Sequence, residues 1–305
     1  MRILDKLHEN SNPPSLDIPG KIGTPDQPPI PICGGTTRSQ DAAAPMEILS
    51  RDLVFFKAGA EFGHRGMQSK VYAAKAEKGI YIVIAEEEPR FALLSPDCDF
   101  LTRLDTLVRE YHLIRDNGHH SHTAGLPEDF GGSIDIRYAS GEFISKSDNQ
   151  SPIISQEADQ AICKIFLDAI TSCPKAELPD PSLIQKVEYR EQGKDNYSLL
   201  TFSRNGETAK LSSENQYSTS GTIYKKEAQV PSSAFDRIID DAKKYCLFGL
   251  GGVEKYHTSS FQISEQTLTY ELSDGSKMVV PYFFGVIGGV SNVVFETARY
   301  LSRLL

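Results

Sequence analysis

The chain is predicted to be α+β, with two tandem related units, each an antiparallel sheet packed by helices, preceded by a proline-rich N-terminal arm. Three observations predict this. Eight of the seventeen prolines fall at or before position 45. From Arg51 onward strand-like runs alternate with amphipathic helical stretches, the pattern of a sheet covered by helices. That succession then occurs a second time.

The arm comprises residues 1–50, with prolines at 13, 14, 19, 25, 28, 29, 31 and 45. Proline fixes φ and removes a backbone donor, so the segment is expected to be extended or disordered, without ladders or helices of any length. Pro28-Pro29-Ile30-Pro31 matches a PxxP ligand, but the nearest basic residue is Lys21, which favours a linker.

The first unit is expected to span 51–175. KVYAAKAEKGIYIVIAEEE reads as two strands turning at Lys78-Gly79. DFLTRLDTLVREYHLIRDNG then places Leu101, Leu104, Leu107, Val108 and Tyr111 on one helical face. SIDIRYASGEFI alternates Ile134, Ile136 and Tyr138 up to Ser140-Gly141, a hairpin whose tight turn calls for positive φ. SQEADQAICKIFLDAI closes the unit as a helix, and the three prolines at 174, 179 and 181 stop it in a short, stiff linker.

The second unit, 176–305, repeats these parts. NYSLLTFSRNGETAKLSSEN turns at Asn205-Gly206, SSAFDRIIDDAKKYCLFGLGG carries Phe235, Ile238, Ile239, Ala242 and Tyr245, TLTYELSDGSKM turns at Asp274-Gly275, and SNVVFETARYLSRLL ends the chain. Tyr111 and Tyr245 lie 134 residues apart (245 − 111), and so do Leu113 and Leu247, Gly118 and Gly252, and Gly141 and Gly275. The first turns are offset by 127 (206 − 79), so the second unit carries seven extra residues before its helix, assigned to a loop near Gln216–Gly221. Loop insertions of this size cost little. Two occurrences do not make a solenoid; two domains side by side and two halves sharing one sheet are both compatible with the repeat.

The run from Tyr111 to Gly118, with its Asn-Gly exit, followed by GGSIDIRYASGEFI at 131–144, resembles a family of uncharacterised bacterial repeat proteins. In these a helix leaves through Trp-Asn-Gly into a loop, a hairpin turning at Asp-Gly, and another helix. The resemblance covers most of 65–170 and, more faintly, 184–305. Asp116 stands where the family has tryptophan, and the chain contains none. The resemblance implies this fold and carries no catalytic residue over.

A net charge of −9, from 32 basic and 41 acidic residues, disfavours nucleic acid and anionic membranes as partners, both of which call for basic surface. No stretch approaches the ~18 apolar residues of a membrane span, and MRILDKLHENSN lacks a signal-peptide core. The five cysteines (33, 98, 163, 173, 246) are scattered without CxxC, which weighs against a disulfide framework or zinc ribbon and points to the cytoplasm. Asp97 and Asp99 beside Cys98 oppose nucleophilic use of that thiol.

The sharpest polar constellation is His112, His119, His120 and His122, with Asp129 following. Imidazoles plus a carboxylate could hold zinc or nickel with an open position for water, which would make a metal-dependent hydrolase. The spacing fits no HExxH motif, and the second unit keeps only His257. Gly285 and Gly288-Gly289 before a helix invite a phosphate reading, but no P-loop Lys-Ser/Thr follows, and Ser291 or Asn292 as a plain N-cap explains the segment. Gly249-Leu250-Gly251-Gly252 reads as a helix C-cap. Glu86-Glu87-Glu88 reads as a solvated strand end. The function expected is therefore a non-catalytic binding or interaction module for a protein or small-molecule ligand, without a resident cofactor. The metal-dependent hydrolase is the alternative.

Overall fold

The computed structural model describes residues 35–60, 69–85, 88–124, 131–193, 196–217, 222–256, 264–281 and 290–305. Asp129, His257, Cys33, the PxxP stretch, Glu86-Glu87 and Gly285 to Gly289 lie outside these.

The chain is α+β, with fourteen strands in two sheets and four α-helices among the described residues. After β1 (Thr36–Gln40) come β2 (Leu53–Ala60), β3 (Ser69–Lys75), β4 (Ile80–Ala85), β5 (Arg90–Leu94) and helix α1 (Phe100–Glu110). Then follow β6 (His119–Thr123), the hairpin β7 (Gly132–Tyr138) and β8 (Phe143–Asp148), and α2 (Gln156–Ser172). The second half runs β9 (Ile184–Gly193), β10 (Asn196–Asn205), β11 (Thr208–Tyr217), β12 (Ile223–Pro231), α3 (Ala234–Lys244), β13 (Ser264–Leu272), β14 (Lys277–Pro281) and α4 (Val290–Arg303).

The first sheet has the order β1-β6-β8-β7-β2-β3-β4-β5 and the second β12-β11-β10-β9-β13-β14. Read from the inner hairpin outward, β8-β7-β2-β3-β4-β5 and β14-β13-β9-β10-β11-β12 are the same sequence of parts. The recurring positions keep their backbone too. His112 and Cys246 have φ +49° and +48°, Gly118 and Gly252 +81° each, and Gly141 and Gly275 +91° and +81°. The seven extra residues lengthen the β11–β12 hairpin, whose strands have ten and nine residues against six and five in β4 and β5. Of the paired turns, Gly206 has φ +66°, while Gly79 does not need positive φ. A Cβ at Gly79 would stand 2.1 Å from the Leu94 carbonyl oxygen, so close packing excludes a side chain there.

Helices α1 and α2 cover one face of the first sheet, where Leu104, Leu107 and Val108 meet Phe56, Ile82, Ile136 and Phe166. The other face is buried as well. Phe55, Tyr72, Tyr81, Val83 and Leu93 share one apolar cluster with Phe202, Phe235, Ile238, Phe248 and Tyr270 of the second half. This two-sided burial accounts for the unbroken apolar run Ile-Tyr-Ile-Val-Ile in β4. The two halves keep separate sheets and share a core. Outward-facing positions of the second sheet carry ion pairs instead, Lys186–Glu188 at 3.2 Å and Lys210–Glu227 at 2.8 Å among them.

The arm differs from expectation. Thr36–Gln40, a stretch free of proline, forms β1 and pairs antiparallel with β6 in a five-residue register. Buried Asn117 holds this corner, donating through Nδ2 to the Pro45 and Phe143 carbonyls (2.9 Å each) and accepting from Ser145 N (2.8 Å). Gln40 Nε2 donates to the Asn117 carbonyl at 2.8 Å. A second difference is that β6 runs parallel to β8, whereas the other named strand pairs are antiparallel. A third is at α4, which begins at Val290, so Ser291 and Asn292 lie in its first turn.

The linker is tied down rather than free. Ser95 N donates to the Pro174 carbonyl (2.8 Å) and Ala176 N to the Leu93 carbonyl (3.0 Å), adding one bridge at the β5 edge. Lys175 Nζ donates to the carbonyls of Ala169, Ile170 and Cys173 at 2.7–3.0 Å, filling acceptors that the end of α2 leaves open.

Candidate functional site

A cleft of about 410 Å³ opens where the two halves meet. It is built from three segments distant in sequence: the β3–β4 turn (Glu77, Lys78), the stretch after α3 (Leu247–Gly252) and β14 (Lys277, Met278, Val279). Leu247, Phe248, Met278 and Val279 give it an apolar wall, and Lys78, Lys277 and Glu77 give it charge. Val279 is 52% exposed beside it, a large apolar side chain left facing solvent. Lys277 also reaches Glu271 at 3.8 Å.

The glycines of Gly249-Leu250-Gly251-Gly252 make this junction, which corrects their reading as a helix cap. Helix α3 ends at Lys244, and the left-handed residue at its exit is Cys246. Glu77 N donates to the Gly251 carbonyl at 2.8 Å. A Cβ on Gly251 would stand 2.8 Å from Glu77 Oε2, and one on Gly249 would press on Leu93 at 3.1 Å. At Gly251 the neighbour is the end of a flexible carboxylate, which can turn aside, whereas at Gly249 the Leu93 side chain would have to give by a few tenths of an ångström. Beyond the glycines, Tyr256 lies 5.5 Å from Phe55, and before them Tyr245 meets Phe91 edge-on at 4.9 Å.

The histidines are distributed rather than convergent. His119, His120 and His122 lie in β6, where alternation sets His120 and His122 on one face and His119 on the other. His120 Nδ1 is 2.9 Å from Ser147 Oγ. His112 belongs to the exit of α1, where His112 N bonds the Arg109 carbonyl (3.1 Å) and Leu113 N the Val108 carbonyl (2.9 Å), a Schellman closure. An exposed histidine at φ +49° pays the steric penalty glycine avoids, so His112→Gly is expected to stabilise the chain by about 1 kcal/mol. Urea denaturation would check this, and a destabilised variant would show that the imidazole is needed where it stands.

Sequence reading missed one group. Among the described residues, Cys98, Asp99 and Cys173 are the set whose ligand-capable atoms lie within 4.8 Å of one another. Cys98 Sγ and Cys173 Sγ are 2.8 Å apart. The Cys173 thiol is pushed up to about 11, by burial first and then by its contact with Cys98. Seventy-five residues separate the two, so no local motif announces them.

Among the described residues, no helix is long and apolar enough to cross a membrane. Compared with protein-family models, with curated proteins and with solved structures, the chain matches none of them.

Proposed function

We propose that the protein is a non-catalytic interaction module, which takes an extended segment of a partner protein along β14, with side chains entering the adjoining cleft. The observation that carries this reading is the contrast between the two repeats. In the first, the outer side of β8 is occupied by β6, and β1 lies beyond it. In the second, β14 stands at the edge of its sheet among the described residues. An open edge offers unpaired backbone donors and acceptors to an added strand, and pockets beside it read alternate side chains. The apolar wall and the two lysines favour a segment alternating apolar and acidic residues. Such binding asks for no catalytic group, and a reducing compartment such as the cytoplasm is the setting we assign to it.

The test is selection of a random linear peptide library on the intact protein. Recovered peptides are expected to slow amide hydrogen exchange in Lys277–Val280 and to bind Val279→Asp at least about tenfold more weakly, a loss of about 1.4 kcal/mol. Peptides that bind the variant equally well and leave β14 exchange unchanged would overturn the reading.

A further inference from the structure

Cys98 sits in the turn Ser95–Asp99 that leads into α1, where its N–H bonds the Ser95 carbonyl at 3.1 Å. Cys173 caps the end of α2, its N–H on the Ala169 carbonyl at 3.2 Å, and the next residue, Pro174, accepts from Ser95 N. Two short segments already bonded to each other therefore carry the two thiols face to face. Their sulfurs, 2.8 Å apart, are closer than unbonded sulfur atoms ordinarily sit and need move only about 0.75 Å to reach the ~2.05 Å bond. Both cysteines are half-buried, leaving an approach for a small reagent.

We propose that Cys98 and Cys173 are a redox-active pair that closes to a reversible disulfide, fastening the start of α1 to the end of α2 at the point where the first repeat hands over to the linker. The oxidant is a low-molecular-weight disulfide. Cys98, as thiolate, attacks one of its sulfurs and expels one thiolate, leaving a mixed disulfide on Cys98. Cys173 gives up its proton and attacks the Cys98 sulfur, forming the intramolecular bond and expelling the second thiolate. Two protein thiols and one small disulfide become one protein disulfide and two small thiols. The 2.8 Å contact makes the closing step intramolecular, and the same steps balance with the roles of the two cysteines exchanged. Because the bond would span 75 residues, it limits the unfolded chain far more than it changes the folded one. This pair is independent of the peptide-binding reading.

The experiment treats the reduced, full-length protein with excess oxidised glutathione. Expected are a mass loss of about 2 Da, a Cys98–Cys173-linked peptide on mapping, and a melting temperature raised by roughly 5–10 °C and reversed by dithiothreitol. Cys163→Ser is expected to respond as the parent does. Cys98→Ser and Cys173→Ser are each expected to lose the linked peptide and the melting shift while melting, when reduced, where the reduced parent melts. Stable glutathione adducts on both residues without a linked peptide would overturn the proposal. So would thiols that alkylate only after a chelator has stripped zinc, which would make Cys98, Asp99 and Cys173 metal ligands instead.

Discussion

Tyr81→Ala is expected to destabilise the chain by about 3–5 kcal/mol, the cost of removing a large aromatic side chain from a packed interior. Tyr81 is fully buried in β4, on the face of the first sheet that meets the second half, and its hydroxyl donates to the Tyr245 carbonyl at 2.7 Å. Tyr245 in turn packs on Phe91, so the ring and its hydroxyl fix the exit of α3 against the first sheet. Burial holds the phenol protonated well above its ordinary range, which keeps it a donor. Tyr81→Phe retains the ring and leaves the Tyr245 carbonyl without this donor, at about 1–2 kcal/mol. The contrast separates packing from hydrogen bonding. Urea unfolding followed by both tyrosine fluorescence and far-ultraviolet circular dichroism reads it. In the alanine variant the two probes are expected to part, because a weakened junction lets the halves unfold separately. Coincident transitions with a loss below about 1 kcal/mol would mean that this contact does not couple them.

The duplication was legible because the repeated positions answer to backbone geometry. A hairpin that needs positive φ at Gly141 needs it again at Gly275, and a helix that leaves through His112 leaves again through Cys246. Amphipathic spacing marked α1 and α3: Leu104, Leu107 and Val108, and Phe235, Ile238, Ile239 and Ala242, are buried as the periodicity assigns, whereas Leu101, Tyr111 and Tyr245 are only half-buried and the buried Phe100 and Asp105 were not assigned. Strand β6 was not legible. His119–Thr123 has no apolar alternation, and what makes it a strand is backbone pairing to β1 and a corner fixed by Asn117, both of which depend on residues dozens of positions away. The cleft escaped notice for the same reason, since Glu77, Gly251 and Lys277 share no local pattern. The glycines after α3 were visible but attributed to the wrong cause. A C-cap and a close approach both call for glycine, and what distinguishes them is that α3 has already closed through left-handed Cys246, three residues before Gly249. Histidines draw attention by composition, whereas Cys98 and Cys173 become a pair only when two helix ends meet.

Asp105→Ala is expected to cost about 3–5 kcal/mol, the range for stripping one partner from a buried charged network. The Asp105 side chain is only 3% exposed. It accepts from Arg109 Nε at 3.0 and 3.2 Å, from the Tyr138 hydroxyl at 3.0 Å and from Arg51 Nη1 at 3.3 Å. Arg109 carries the connection outward, donating to the Ile48 carbonyl at 3.0 Å and to the Ser50 carbonyl. One carboxylate on α1 thus orients the guanidinium that holds the chain entering β2, and it fixes Tyr138 at the end of β7. Without it, Tyr138 and the Arg109 Nε lose their acceptor in a place water reaches poorly, so the penalty is desolvation left uncompensated rather than lost attraction alone. Asp105→Asn keeps one acceptor oxygen and is expected to lose about half as much. Arg51→Ala should change little, within about 1 kcal/mol, because 72% of that side chain is exposed and its ion pair is screened. The distinguishing readout is local. Limited proteolysis near Ile48–Arg51 is expected to accelerate in Asp105→Ala well before global unfolding, since Arg109 then holds the Ile48 and Ser50 carbonyls without the carboxylate that orients it, and Glu142, which accepts from the Leu49 and Ser50 amides at 2.7 and 2.9 Å, carries more of that stretch. Cleavage at the parent's rate would show that Glu142 and Arg109 suffice without it and that Asp105 serves only the fit of α1 against β7.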